Sequence, residues 1–414
     1  MLDIQYIRDN PQKVKEAAKN KNITVDIDKL LEIDHKRREM LQDIEKLRKE
    51  RNENAAQMQN GQPSPELIAE GRRLKDALGQ IEAVFEPINN EYRALLGDVP
   101  NVFSEDTPLG GEEANKPVET WGDSNQRKIK DHLSWLEERD LVDFERGAKV
   151  AGSKFYYSKG DLALLELALN QYALAKAVEH GFTPMIVPSM VNSEVVGGTG
   201  YAPRGEERQI YKIEGEDLNL IATSEIPLTA YHKDEILDAS KLPLLYVGWS
   251  PCYRMEAGAY GKHARGIFRV HQFYKVEMYV FCKPEDSSQW HEKLMEIEEE
   301  ILQDLGIPYQ KLAIASGDLG APAYKKFDLE YFSPLDGEYR ELTSCSNVTD
   351  YQARRLNIRY KDDNGKTEYV HTLNGTAMVS SRGPIAIIEN FQQEDGSVKL
   401  PEVLWPYMGG KKVI

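Results

Sequence analysis

The chain has 414 residues, of which 41% are hydrophobic and 29% charged, and its formal net charge is −16. We expect a globular protein of two or three domains in the cytoplasm, without a membrane partner. No apolar run reaches the roughly 18 residues of a bilayer span, and the N-terminus lacks the apolar core of a signal peptide. The acidic balance excludes indiscriminate binding of nucleic acid but permits a local basic surface. Three distant cysteines, Cys252, Cys282 and Cys345, match neither a disulfide framework nor metal-ligand spacing.

Residues 1–100 are predicted to form a helical domain that carries a long arm. After a helical lead-in over residues 1–25, Asp26 and Asp28 offer an N-cap for a long helix. The residues around 60–65, Asn-Gly-Gln-Pro-Ser-Pro, form a strong turn signal. Beyond this turn a heptad repeat indicates a coiled-coil seam in which Gly71 is the one position that is not apolar. The repeat consists of Leu67, Gly71, Leu74, Leu78, Ile81, Phe85, Ile88, Tyr92 and Leu95.

Folding the two helices back at the turn predicts an antiparallel coiled coil about 45 Å long, at 1.5 Å per residue. This pairing places Leu30 opposite Tyr92 and Ile44 opposite Leu78. Pro87 predicts a kink in the second helix. Basic residues cluster in the outer half of the arm, where they form either an ordinary solvated face or a contact for a polyanion. They are Lys46, Arg48, Lys49, Arg51, Arg72, Arg73 and Lys75.

Residues 101–125 contain several prolines and glycines and are predicted to link the arm to a second domain over 126–414. A helical pattern covers Leu162–His180. Five apolar runs are predicted as strands, and because most lack an intervening crossover helix, we expect a mainly antiparallel sheet and an α+β fold. The five runs are Met185–Val191, Leu218–Ile221, Leu244–Trp249, Gln272–Phe281 and Ala386–Ile388.

The segment Pro251–Phe281 is predicted to be an antiparallel hairpin with a long glycine-containing loop. Alternation in its second strand places Phe273, Lys275 and Glu277 on one face. Five basic side chains against two acidic ones give the segment a charge of +3 in an acidic protein. The excess indicates either a place where an anion is bound or a solvated loop with scattered charge.

Three segments of the second domain resemble the signature motifs of class II aminoacyl-tRNA synthetases. They are Gly181–Pro188, Arg254-Met255-Glu256 and Gly375–Arg382. More narrowly, the chain resembles the seryl-tRNA synthetases along its whole length. The matching segments are Thr223-Ser224-Glu225, His271–Glu277, Glu341–Asn347 and His371–Gly375.

The resemblance implies a ligase that uses ATP to form seryl-adenylate and then transfers serine to tRNA. Arg254, Arg382 and Glu341 are the implied catalytic residues, with Arg254 on the α-phosphate and Arg382 on the γ-phosphate. Glu256 is expected to accept the adenine amino group, Phe273 to stack on the ring, and Glu341 and Ser344 to bind Mg²⁺. The implied ATP-binding set is Arg254, Met255, Glu256, Phe273, Glu341, Leu342, Thr343, Ser344 and Arg382.

The resemblance also implies a site that holds the ammonium, carboxylate and hydroxyl of L-serine. Glu277 is expected to accept from the ammonium, and Asn374 and Thr376 to bind the hydroxyl. The implied serine-binding set is Thr223, Ser224, Glu225, Arg254, Glu277, Asn374 and Thr376. No zinc is expected, because the Thr-Ser-Glu segment resembles the zinc-free branch of the family.

For the arm, the resemblance implies that its basic cluster contacts the long variable arm of tRNA(Ser), and by the same likeness tRNA(Sec). Lys262, His263 and Arg265 in the hairpin loop are expected to contact the acceptor end. A homodimer is implied through the segment that starts at Gly181. Two alternatives remain: a synthetase-derived ligase that loads an amino acid onto a carrier protein, and a non-catalytic paralogue. The first would lack the arm, and the second would lack residues such as Arg254 or Glu341, which are present.

Overall fold

The computed structural model describes residues 1–58, 64–200, 210–256, 266–362 and 364–414. Two compact units divide the chain, Met1–Val102 and Phe103–Ile414. No helix among these described ranges is both long enough and apolar enough to cross a membrane.

The first unit consists of two short helices followed by two long ones. In chain order they are α1 (Ile4–Asp9), α2 (Pro11–Asn20), α3 (Ile27–Met58) and α4 (Pro65–Asp98). Side chains at the helix starts accept main-chain N–H groups that no helical carbonyl can reach. Asp26 accepts from Lys29 N at 2.9 Å, and Ser64 accepts from Leu67 N at 3.3 Å.

Helices α3 and α4 pack antiparallel, as the heptad pattern predicts. Near the end where α3 begins and α4 finishes, Lys29 pairs with Glu91 at 2.5 Å. Further along the pair, Arg48 pairs with Glu82 at 2.7 Å. Packing on α3 explains why this heptad position is occupied by Gly71. A Cβ there would lie 2.8 Å from Met58 Cε and 2.9 Å from Asn54 Oδ1. A side chain at this heptad position would therefore require the Met58 and Asn54 side chains to shift. Helix α4 continues on both sides of Pro87, and the kink there stays a prediction.

The second unit is built on short and long strands with helices between them. Its strands are β1 (Lys116–Trp121), β2 (Val142–Asp143), β3 (Tyr157–Ser158), β4 (Thr183–Ile186), β5 (Met190–Val191), β6 (Asn219–Leu220), β7 (Ile236–Asp238), β8 (Leu244–Tyr253), β9 (Gln272–Cys282), β10 (Tyr309–Ala313), β11 (Lys325–Phe332), β12 (Tyr339–Thr349), β13 (Arg359–Lys361), β14 (Thr367–Tyr369) and β15 (His371–Val379). Its helices are α5 (His132–Glu138), α6 (Phe144–Ala151), α7 (Gly160–Glu179), α8 (Ser193–Thr199), α9 (Glu225–Ala230), α10 (Ser287–Asp304), α11 (Tyr351–Leu356) and α12 (Arg382–Phe391).

Eight of these strands form one sheet in the order β1-β10-β11-β12-β15-β9-β8-β4. Neighbouring strands run antiparallel except for the edge pair β4 and β8, which is parallel. The mainly antiparallel α+β fold is therefore confirmed. The segment 101–125, expected to be a linker, contains β1 and so contributes an edge strand to this sheet.

Two of the predicted strands are wrong. The run Met185–Val191 is divided between β4 in the large sheet and β5, which pairs with β6 in a separate two-stranded sheet. Ala386–Ile388 lies inside helix α12, where every residue from Gly383 to Asn390 is buried. A short apolar run without a polar face has the same pattern in a buried strand and in a buried helix, so periodicity cannot separate them. Strands β10, β11, β12 and β15 were missed because polar residues interrupt their apolar pattern.

Strand β9 lies near the middle of the sheet and divides the hydrophobic core. Val276, Met278 and Val280 belong to the larger cluster, which includes residues of α7, α10 and α12. Tyr279 and Phe281 belong to a second cluster on the other side. The alternation predicted for this strand is thus present, and its first half carries polar side chains towards the site described next.

Candidate active site

The site starts at the hairpin of β8 and β9. In this pair of strands Cys252 lies opposite Phe273, Ser250 opposite Lys275 and Gly248 opposite Glu277. Gly248 allows helix α9 to approach, since a Cβ there would lie 2.9 Å from Ser224 Cβ and 3.0 Å from Leu228 Cδ1. The absence of a side chain at residue 248 therefore lets the segment Thr223-Ser224-Glu225 pack against the strand that carries Glu277.

A pocket lies beside this hairpin, and β12, β15 and the start of α12 form its other walls. It collects most of the residues that the resemblance assigns to ATP, but Met255 is not among those lining it. The lining residues are Arg254, Glu256, Phe268, Arg269, Val270, Phe273, Lys275, Glu341, Leu342, Thr343, Ser344, Thr376, Val379, Ser381 and Arg382.

Two arginines of the pocket lie over aromatic rings. The Arg254 guanidinium carbon is 5.3 Å from the centre of the Phe273 ring, and that of Arg382 is 4.8 Å from the Phe268 ring. Such contacts hold the planar guanidinium groups in the pocket. The Arg254 main chain is held in turn by His271, whose Nδ1 lies 2.9 Å from the Arg254 carbonyl oxygen.

Glu256 lies three residues beyond the end of β8 and has an unusual backbone conformation. Its φ is 45°, in the left-handed region that few non-glycine residues adopt. Arg269 Nη1 lies 3.4 Å from its Oε2. The strained backbone and the ion pair together fix where this carboxylate points into the pocket.

Glu341 and Arg382 pair directly in the pocket. Arg382 Nη1 is 3.0 Å from Glu341 Oε2 and donates to the Glu341 carbonyl oxygen at 3.0 Å. Desolvation would raise the pKa of Glu341, but the charges of Arg382 and Lys326 outweigh it and lower that pKa to about 2. The carboxylate is therefore ionised at any physiological pH.

The same part of the pocket has the donors that a hard cation prefers. The ionised Glu341 carboxylate and the Ser344 hydroxyl belong to one strand, β12, and both line the pocket. Asp328 faces Ser344 across the neighbouring strand, and burial raises its pKa to about 7 although it pairs with Lys326 at 3.1 Å. Within the described ranges no group of three or more histidine, cysteine or acidic residues forms a metal cluster. The donor set fits Mg²⁺ held partly by a ligand's own oxygens.

Beside the arginines, a buried group of charges surrounds Glu277, which is 1% exposed. Its Oε2 lies 2.5 Å from Lys275 Nζ and accepts from the Thr376 hydroxyl at 3.1 Å. Lys275 itself is buried and lines the pocket. Sequence reasoning placed Lys275 on the correct face of β9 but gave it no role. The available signal was a lysine alternating with Phe273 and Glu277 in an otherwise apolar strand.

Glu225 lies under this group. Burial, and then the charge of Glu277, raise the pKa of Glu225 to about 7 against the opposing effects of Lys275 and Gln352. Thr223 accepts from Glu225 N at 3.2 Å, and the hydroxyls of Ser224 and Ser250 are 2.6 Å apart. These three predicted residues form a buried layer and do not line the pocket itself.

Asn374 lies in β15, opposite Ser346 on one side and Tyr279 on the other. It is buried, and no partner for its side-chain amide is present among the described residues. Its neighbour Thr376 reaches Glu277, as noted above. Strand β15 therefore brings the Asn374 amide and the Thr376 hydroxyl to positions two residues apart on one face of the strand.

The basic cluster of the arm is exposed at every one of its seven positions. Arg48 pairs with Glu82 at 2.7 Å and Arg73 with Glu70 at 2.7 Å, so part of its charge is balanced within the arm. Lys262, His263 and Arg265, expected at the acceptor end, lie outside the described residues. The three cysteines are buried thiols.

Comparison with known proteins places both units in one family. The model for the seryl-tRNA synthetase N-terminal domain matches residues 1–103, and that for the tRNA synthetase class II core domain (G, H, P, S and T) matches residues 210–391. The chain is 46% identical to the serine–tRNA ligase of Dictyoglomus turgidum, covering 99% of this chain and 98% of that one. It is 45% identical to the serine–tRNA ligase of Treponema denticola, with 100% of both chains covered.

Solved structures agree. Seryl-tRNA synthetase from Pyrococcus horikoshii complexed with ATP superposes with a TM-score of 0.90 at 42% identity, covering 100% of this chain and 99% of that one. The cytoplasmic serine–tRNA ligase from Naegleria fowleri in complex with AMP gives 0.85 at 33% identity, covering 100% and 98%. The fold and the full-length likeness lead to one conclusion: the chain belongs to the seryl-tRNA synthetase family.

Proposed function

We propose that the protein is a cytoplasmic serine–tRNA ligase that forms seryl-adenylate from L-serine and ATP and then transfers the seryl group to the 3′ end of tRNA(Ser). Family membership over the whole chain supports the reaction class. The observation that carries the proposal is one pocket lined by Arg254 and Arg382 and also by Lys275 and Thr376, which both contact the buried Glu277 carboxylate. That arrangement suits a nucleotide next to a small amino acid.

Adenylate formation requires the serine carboxylate to attack the α-phosphate of ATP while charge grows on the phosphoryl oxygens. Arg254 is a suitable group to hold both anions, because its guanidinium is planar and fixed over Phe273. Arg382 would bind the terminal phosphate after leaving its partner Glu341. Catalysis of this kind depends on charge placed in advance, with no protein nucleophile.

Glu341 and Ser344 would hold Mg²⁺ once Arg382 has turned to the nucleotide. A carboxylate and a hydroxyl are oxygen ligands of the kind that Mg²⁺ prefers. The cation would supply charge neutralisation between phosphate oxygens. Glu256, held by Arg269, would accept the adenine amino group, and Phe273 would stack on the ring.

Serine recognition would centre on Glu277. The substrate ammonium would share this carboxylate with Lys275, and the Thr376 hydroxyl and the Asn374 amide would bind the serine hydroxyl. A site with such buried polar groups rejects alanine, because they would be left without partners.

Exchange of labelled pyrophosphate into ATP tests the adenylation half of the proposal. Exchange should require serine, and alanine should not replace it. Arg254→Ala should abolish exchange, whereas Arg146→Ala, which removes an exposed arginine of α6, should not. Exchange without serine, or exchange by Arg254→Ala at the wild-type rate, would contradict the proposal.

We further propose that the basic cluster of the arm binds tRNA through phosphates of its long variable arm. The supporting observation is seven exposed cations on an antiparallel helix pair. Deleting residues 36–90 should abolish tRNA charging and leave pyrophosphate exchange nearly unchanged. Replacing Lys46, Arg72 and Lys75 by alanine should weaken tRNA binding and its salt dependence, while Lys19→Ala in α2 should not. Equal loss of charging and exchange on deletion would refute this division of labour.

A homodimer formed through the β4 edge of the sheet is the third part of the proposal. Ile186 on β4 is 86% exposed, and Leu164, Leu167 and Val178 of α7 and Met190 of β5 are exposed as well. Exposed apolar side chains of this kind favour a protein interface. Sedimentation should give the mass of a dimer, and Ile186→Glu should give a monomer, whereas Val84→Glu on the arm should stay dimeric. A monomeric wild-type protein would overturn this part.

A further inference from the structure

A buried glutamine of α11, Gln352, uses every hydrogen-bonding group of its side chain. Its Nε2 donates to Glu225 Oε1 at 2.7 Å and to the Thr199 carbonyl oxygen at 3.1 Å. Its Oε1 accepts from the Tyr279 hydroxyl at 2.8 Å and the Thr372 hydroxyl at 2.9 Å. Two donor and two acceptor positions are the full capacity of an amide, so only one orientation satisfies all four partners.

This network connects four elements around the start of α9. Gln352 comes from α11, Tyr279 from β9 and Thr372 from β15, and all three are buried. The Thr229 hydroxyl of α9 closes the network, since it donates to the Glu225 carbonyl oxygen at 2.7 Å and lies 2.8 Å from the Tyr279 hydroxyl. None of these four residues lines the pocket.

Glu225 is the member through which the network reaches the pocket. Its charge interacts with Glu277, Lys275 and Arg254, and the Gln352 N–H favours the ionised form against burial, which disfavours it. Gln352 therefore acts on both the direction and the charge of this carboxylate. Without that donor, Glu225 would be free to rotate, and a neutral Glu225 would leave the group around Glu277 with one negative charge fewer.

We propose that Gln352 is a positioning residue for serine recognition, which holds the Glu225 carboxylate beside Glu277 and Lys275. The inference rests on the proposed function, because it assigns the amino-acid end of the pocket to serine. It predicts an effect mainly on serine, since the hydrogen bonds of the network lie on the β9 side of the pocket and none of them involves Glu341 or Arg382.

Two variants separate the roles of the amide. Gln352→Glu keeps the shape and the acceptor for Tyr279 and Thr372 but puts an oxygen against Glu225. Gln352→Met removes all four hydrogen bonds. Gln392→Met is the matched control: Gln392 is also buried, and its amide is bonded in both directions to the main chain of Lys130.

Serine-dependent pyrophosphate exchange should show KM for serine raised roughly tenfold or more in both Gln352 variants, the size expected for a lost hydrogen bond to a charged group. KM for ATP should stay within about twofold of wild type, and Gln392→Met should leave both constants unchanged. If Gln352→Met does not fold, Gln352→Glu decides the matter. Unchanged KM for serine, or a parallel rise for serine and ATP, in variants of native fold would refute the inference alone. A wild-type protein whose exchange does not depend on serine would refute the proposed function and this inference with it.

Discussion

Replacing Lys275 by methionine isolates the electrostatics at the centre of the pocket. The substitution keeps most of the side-chain volume and removes the ammonium that lies 2.5 Å from Glu277 Oε2. At that separation, and at an effective dielectric constant of ~20, two unit charges attract by about 7 kcal/mol. The net value of the pair is smaller, because several kcal/mol are lost in taking both charges out of water.

The variant leaves Glu277 buried without its cation, next to Glu225. Removing one partner of a buried pair costs about 3–5 kcal/mol in the free energy of unfolding. Lys275 also opposes the raised pKa of Glu225, so this pKa should rise further above 7 in the variant. The rise in the pKa of Glu225 should lower serine-dependent exchange, because it removes negative charge beside the carboxylate that would accept the substrate ammonium.

Denaturant unfolding followed by tryptophan fluorescence measures the loss in the free energy of unfolding. Trp249, whose ring stacks on Tyr274 at 5.5 Å, is a nearby reporter. Lys325→Met is the control, since it breaks the more exposed pair with Asp106 and should cost less than about 1 kcal/mol. Equal losses of unfolding free energy in the two variants would show that the pair of Lys275 and Glu277 contributes no more to stability than an exposed ion pair.

Three further predictions concern the same pocket. The folded protein binds the Glu225 proton more tightly than the unfolded chain does, so this carboxyl should contribute a fall of about 2–3 kcal/mol to the unfolding free energy between pH 4.5 and pH 7. Glu225→Gln should lack this fall, and identical stability–pH curves would count against the raised pKa. Thr376→Ser should keep KM for serine near wild type, and Thr376→Val should raise it about tenfold; two equal values would exclude a role for the hydroxyl. Glu341→Gln should raise the Mg²⁺ concentration for half-maximal exchange about tenfold or more, and an unchanged magnesium titration would remove Glu341 from the metal site.

The sequence pattern was sufficient to predict those elements whose contacts repeat every few residues. The heptad from Leu67 to Leu95 predicted α4 and its antiparallel packing on α3, because each turn of a helix repeats the same contact. The alternation in β9 predicted which residues face the pocket, because successive strand side chains point to opposite faces. Motif likeness then named Arg254, Glu341 and Arg382, which the structure brings to one pocket.

The sequence pattern could not predict the surroundings of a residue where several segments that are distant in the chain pack around it. The run Ala386–Ile388 has no polar face, and only its burial on all sides within α12 explains why it forms a helix. The alternation in β9 did not show that Lys275 is buried and paired with Glu277, because its burial depends on the neighbouring strands. Gln352 had no local signal at all, since its four partners come from residues 20 to 153 positions away along the chain.

The sequence by itself determined the helical arm, the central strand and the chemical identity of the groups that would handle ATP and serine, because these follow from periods and motifs within short stretches. The tertiary structure alone decided which charges are paired, which carboxylates hold raised or lowered pKa values, and which buried amide orients them. Burial and the electrostatic interactions of buried groups depend on every segment that packs around a group, and no single stretch of this chain contains that information.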